Sequence, residues 1–230
     1  MNIARDIVDA VMNNDTGAVQ LFIDRKQIQD HNCLALRTAV YCNNVAITQM
    51  VVEHSDVFAW NANAVYLSIE NNLKEIFDIL FPYICAKNDT THNFEFLLQA
   101  VAVDHAYFVD QLVTYSDLPK QSITGILSRL NPNPQQRIAQ SLMHNMSSSQ
   151  RLSLTENMTL SADIKKLQIF VGYLSFNEIQ ALHTTILSFH QGTQLSEKGQ
   201  QCLNIIDQHR QKCVLIDTTG SVGTAAKKKM

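Results

Sequence analysis

The sequence predicts an all-α chain built from repeated short helix pairs, and three observations carry that expectation. Apolar residues recur at i, i+3 and i+4 within short segments, which is the pattern of a one-sided helix. Each such segment closes on Asn or Asp and is followed at once by a second apolar segment. The closing residues Asn14, Asn43, Asn72 and Asp104 stand 29, 29 and 32 positions apart, and near-constant spacing over four copies marks an internal repeat.

The clearest copy is Leu34-Ala-Leu-Arg-Thr-Ala-Val-Tyr-Cys-Asn43-Asn44, followed by Val45 to Val57. Leu36, Ala39 and Val40 share one face of its first helix, and Ile47, Met50 and Val51 share one face of its second. Asn43 tolerates the left-handed conformation that ends a helix, which explains its place between the two. The same form runs from Ile7 to Asn14 and then Ala18 to Ile23. It returns from Val65 to Asn72 with Ile76 to Phe81, and from Leu97 to Asp104 with Phe108 to Val113. A fifth, poorer pair is expected around the Asn131-Pro-Asn-Pro134 turn, from Ile123 to Leu130 and from Gln136 to Met146.

These residues resemble the ankyrin repeat over residues 3–117. Leu34-Ala-Leu36-Arg37-Thr-Ala39-Val40 lies over the family's first helix, Ile47-Thr-Gln-Met50-Val51-Val52 over its second, and Ser55-Asp56-Val57 over its closing Ala-Asp-Val. The departures are large: no Thr-Pro-Leu-His is present, Asn or Asp replaces the turn glycine, and the copies are short. The missing positions would come from the hairpin finger between repeats. The resemblance implies an ankyrin-like helical solenoid of four to five short repeats, with a concave face that meets a protein partner.

Beyond the repeats, the polar run Ser147-Ser-Ser-Gln150 reads as a loop, and at least three helices without a clear repeat follow. Ser161-Ala-Asp163 is the expected cap of Ile164 to Tyr173. Ser175-Phe-Asn-Glu178 has the form of a capping box opening Ile179 to His190. Ser196 opens a helix carrying Cys202, Leu203 and Ile206. The expected organisation is therefore residues 1–118 as repeats, 119–148 as a possible fifth pair, 149–213 as C-terminal helices forming either a cap or a small separate domain, and 214–230 as a disordered tail.

Composition narrows the function classes. With a net charge of −3 and no basic excess, nucleic acid is not an expected partner. No charged segment followed by an apolar run opens the chain, and no apolar run reaches a membrane span. Five scattered cysteines suit free thiols in a reducing compartment, so a cytoplasmic location is expected. Asn/Gln-rich composition and the loose polar end also resemble effectors that intracellular bacteria deliver into a host cytosol.

No catalytic signature emerges, and the chain is not expected to be an enzyme. Cys202, His209 and Cys213 share a helix face, as His183 and His190 do, but neither set has the short paired spacing of zinc ligands. Gly220 and Gly223 lack the context of a phosphate loop. No metal, cofactor or small-molecule ligand is expected, and Lys227-Lys-Lys229 is too short to anchor a membrane.

The expected function is a protein–protein interaction module. The alternative is an enzymatic or toxic activity in the C-terminal helices, which the repeats target. By the resemblance, partner contacts fall at first-helix positions Met12, Asn13, Tyr41, Cys42, Glu70, Asn71, Ala102 and Val103, and at the loop positions His31, Trp60, His92 and Phe94. His31, Tyr41, Trp60, Glu70, Asn71, His92 and Phe94 form the candidate partner-binding set. Tyr41, Trp60 and Phe94 are the most informative, because aromatic residues are enriched at binding hot spots.

Overall fold

The computed structural model describes residues 3–87, 89–115, 125–126, 129–131, 135–189 and 196–225. The chain divides into two compact units, Met1–Asp117 and Leu118–Met230. Among the described residues the regular elements are all helical, with no strand.

The first unit contains four helix pairs: α1 (Ile3–Met12) with α2 (Thr16–Asp24), α3 (Asp30–Tyr41) with α4 (Val45–Val51), α5 (Ala59–Glu70) with α6 (Lys74–Lys87), and α7 (Thr90–Ala102) with α8 (Ala106–Leu112). A 3-10 turn, Val52–His54, extends α4. Each pair turns on a residue with positive φ: Asn14 at 54°, Asn43 at 52°, Asn72 at 56° and Asp104 at 58°. Around Asn43 its own N–H donates to the Val40 carbonyl at 3.0 Å, and the Asn44 N–H donates to Ala39 at 2.8 Å. These two bonds satisfy carbonyls at the helix end that lack intrahelical donors.

The residue after the turn then starts the second helix. The Asn44 side chain accepts from the Ile47 N–H at 3.0 Å, and Asp15 accepts from Ala18 at 2.9 Å. Asn and Asp therefore suit the left-handed turn in all four pairs and the cap in the first two, whereas Leu73 and His105 follow the turn in the later pairs.

First helices pack on first helices (α1 on α3, α3 on α5, α5 on α7), and second helices on second helices (α2 on α4, α4 on α6). Ala10, Ala39, Ser68 and Ala100 are buried four positions before their turns, where small side chains admit the neighbouring helix. Phe77, Phe96 and Phe108 fill the later pairs, with the Phe77 and Phe108 rings edge-to-face at 4.9 Å. Successive turns are tied directly: Asn44 Nδ2 donates to Asn14 Oδ1 at 2.9 Å, and His105 Nδ1 lies 2.9 Å from the Ile69 carbonyl.

Two joints between pairs depart from the expected loops. His31, Asn32 and Cys33 have φ of 54°, 58° and 55°, and Trp60, Asn61 and Ala62 have 51°, 55° and 55°. Each triplet is one left-handed turn leading into a right-handed helix, and the two triplets lie 29 positions apart. Such a conformation costs roughly 1–2 kcal/mol per non-glycine residue. Packing opposes that cost, since Cys33 and Ala62 are buried and the Cys33 sulfur accepts from the Asp56 N–H at 3.2 Å.

The second unit contains α9 (Gln136–Asn145), α10 (Ser148–Leu160), α11 (Ile164–Phe170) with a 3-10 extension Val171–Tyr173, α12 (Phe176–Phe189) and α13 (Glu197–Ala225). Ser147-Ser-Ser-Gln150 is not a loop but a capping box opening α10, with the Ser147 N–H donating to Gln150 Oε1 at 2.8 Å. The turn of the first unit recurs at Ala162, whose φ is 53°. The Ala162 N–H donates to Thr159 at 3.0 Å and the Asp163 N–H to Met158 at 2.9 Å. Ala162 lies 58 positions beyond Asp104, which is two 29-residue periods. The packing order recurs too, with α10 on α12, α9 on α11 and α11 on α13.

No proline follows Glu197, and α13 continues to Ala225 through the start of the expected tail. Residues 116–119 and Ile123, the Pro132-Asn-Pro134 turn, His190 and Lys227-Lys-Lys229 lie outside the described residues.

Candidate functional site

Met12 and Tyr41 occupy equivalent places two positions before their turns, and both are exposed, at 63% and 76%. Large apolar side chains left in water on adjacent helices call for an explanation. They edge a groove of about 310 Å³ running across three first helices. Val8 and Met12 of α1 form one side, Leu34, Arg37, Thr38 and Tyr41 of α3 the floor and middle, and Trp60, Asn63 and Leu67 of α5 the other side. Trp60 is 58% exposed.

The two left-handed turns shape this groove. The first presents the His31 and Asn32 carbonyls, which accept from Arg37 Nη2 and Nε, each at 3.2 Å. The second holds Trp60, and the Arg37 guanidinium carbon lies 3.9 Å from the Trp60 ring centroid. Arg37 is thereby fixed by two hydrogen bonds and one ring face. Burial lowers its pKa, with Cys33 opposing that shift.

Of the seven candidate partner-binding residues, Tyr41 and Trp60 line the groove together. His31 does not line the groove, and its carbonyl holds Arg37, which does. Glu70 and Asn71 are exposed at the end of α5, where the Asn71 amide bonds back to the Leu67 carbonyl at 3.0 Å, and neither lines the groove. His92 is half-buried at a joint: its ring lies 2.8 Å from Asp89 Oδ2 and edge-on to Phe58 at 5.3 Å. The His92 amide and ring hold the Asp89 carboxyl below its ordinary range. Phe94 is half-buried on α7, outside the groove.

Leu34, Arg37, Asn63 and Leu67 were not in that set. Leu34 and Arg37 precede Tyr41 by seven and four positions, and Asn63 and Leu67 follow Trp60 by three and seven. Helical spacing from Tyr41 puts Leu34 and Arg37 on the groove face, whereas the left-handed turn at Trp60 breaks that spacing for Asn63 and Leu67.

A second depression of about 470 Å³ lies between α4 and α6, lined by Gln49, Glu75, Asp78 and Tyr83 among others. In the second unit, one of about 460 Å³ is lined in part by the ion pair of half-buried Arg151 with buried Glu178. Cys202 is buried, and burial with the nearby Asp163 charge raises its thiol pKa; burial and Lys212 lower that of His209. His183 Nε2 and Arg210 Nη2 both approach Asp207 Oδ1, at 3.3 and 3.2 Å. Among the described residues no three His, Cys, Asp or Glu side chains come together as a metal site. No helix among them is long and apolar enough to cross a membrane. Comparison of the chain with protein-family models, curated proteins and solved structures finds no match.

Proposed function

We propose that this chain is a protein–protein interaction module, an ankyrin-like solenoid in its first unit, that holds a partner in the groove across α1, α3 and α5. The observation that carries this reading is the grouping of exposed Met12, Tyr41 and Trp60 around one apolar groove on adjacent first helices. Exposed aromatics beside aliphatic side chains have the composition of interface anchors. Helix pairs stacked at a 29-residue period also supply a continuous row of equivalent surface positions.

The test is the double variant Tyr41→Ala, Trp60→Ala in the full chain. Proteins captured from a eukaryotic lysate by the wild-type chain are expected to be lost with the variant. Its far-UV circular dichroism should be unchanged and its Tm within a few degrees. A large fall in Tm would make both side chains structural, and undiminished capture would place the binding surface elsewhere.

A further inference from the structure

The groove is mostly apolar, with Thr38 and Asn63 as its neutral polar side chains. Arg37 is the only charged residue that lines it, between Tyr41 on its own helix and Trp60 on the next. Arg5, Arg151 and Arg210 each pair with a carboxylate, on Asp9, Glu178 and Asp207 respectively. Arg37 is held instead by two neutral carbonyls and an aromatic face. A guanidinium has five N–H donors, and those contacts use two of them. Partial burial already disfavours its charge, so a carboxylate brought into the groove would supply the neutralisation and bonding that the chain does not.

Resting on the binding function proposed above, we infer that the groove takes an acidic, apolar peptide segment of a partner protein: an aspartate or glutamate paired with Arg37, flanked by a large apolar side chain against Leu34, Leu67 and Trp60. The charge selects the segment, and the apolar contacts hold it. A carboxylate also fits the planar fork of arginine, which the left-handed turn at His31 and Asn32 holds in a fixed orientation.

The experiment is selection of phage-displayed random dodecapeptides on the immobilised full chain, with elimination against the Trp60→Ala protein. The selected sequences are then synthesised and titrated by fluorescence polarisation. The expected result is enrichment of Asp or Glu within a few positions of Leu, Ile, Met or Phe. Replacing that acid by its amide in the peptide should weaken binding to the wild-type chain by about tenfold or more, and Arg37→Gln should do the same to the unmodified peptide. The peptide-side substitution keeps the test valid if Arg37→Gln does not fold. Peptides that require Trp60 but carry no acid, or bind equally as amides, would overturn the acidic assignment and leave the groove as a binding site. Recovery of no Trp60-dependent peptide would overturn both.

Discussion

Arg151 reaches across 27 positions to Glu178, with Nη2 2.6 Å and Nε 2.9 Å from the same carboxylate oxygen, Oε1. The other oxygen accepts from the Ser175 N–H at 2.7 Å and the Ser175 hydroxyl at 2.8 Å, completing the cap of α12. Arg151 Nη1 donates to the Met146 carbonyl at 2.7 Å, at the end of α9. One ion pair thus ties the end of one helix to the beginning of another.

That arrangement predicts acid sensitivity. Burial would raise the Glu178 carboxyl, but hydrogen bonds from Ser148, the Ser175 amide, Arg151 and the Ser175 hydroxyl outweigh it and hold the pKa at about 2. A carboxyl depressed in the folded state contributes stability that is full above its ordinary value of 4.5 and is lost as pH falls towards 2. The loss should be on the order of 3 kcal/mol. Urea unfolding at pH 7, 4 and 2.5 measures it, and Glu178→Gln should be less stable at pH 7 while flattening that part of the profile. An equal pH dependence in the variant would refute the assignment.

Ala162 carries a Cβ at φ 53°, where the first unit uses Asn or Asp. Ala162→Gly is expected to raise stability by about 1 kcal/mol, because glycine removes the left-handed penalty. In an ordinary right-handed helix the same change would destabilise by a similar amount, so the sign of the shift in urea midpoint decides between the two conformations.

Asn61 is exposed at the centre of the second left-handed turn, with φ 55°. Asn61→Val should cost about 1–2 kcal/mol, and Asn61→Gly should stay within about 0.5 kcal/mol of wild type. A right-handed segment would reverse the order of the two variants. Thermal melts of the pair therefore test the turn that presents Trp60.

Tyr107 donates its hydroxyl proton to Asp78 Oδ1. Burial first, and then the bond to Asp78 and its charge, raise the phenol pKa to about 12. Ultraviolet titration of the tyrosines should show one ionising late, and Asp78→Asn should bring it down. As a neutral acid favoured by folding, Tyr107 contributes stability below pH 10 that is lost as pH rises towards 12.

Much of the helical framework was readable because its determinants are local. Asn43 and Asn44 act on backbone groups within five positions, and so do Ser175 and Glu178 of the capping box. The recurrence in the second unit was hidden where Ala162 replaced the polar turn residue, and a serine-rich cap at Ser147 passed for a loop. The left-handed triplets were not readable, since His31 and Trp60 have no intrinsic preference for positive φ and are held by tertiary packing. The groove was legible only in part. Tyr41 and Trp60 stand out by type, whereas Arg37 gains its role from carbonyls in its own turn and a ring on the next helix.

The helices of the first unit touch chiefly the other helix of their pair and the next pair in the chain, so its contacts between helices join residues up to about one period apart. A topology of this kind has low contact order, and low contact order means fast folding with little entropy lost in closing loops. Each pair can acquire its partner soon after it leaves the ribosome, without waiting for the chain to finish. The groove across α1, α3 and α5 needs no residue beyond Glu70, so it is complete as soon as those three helices have packed.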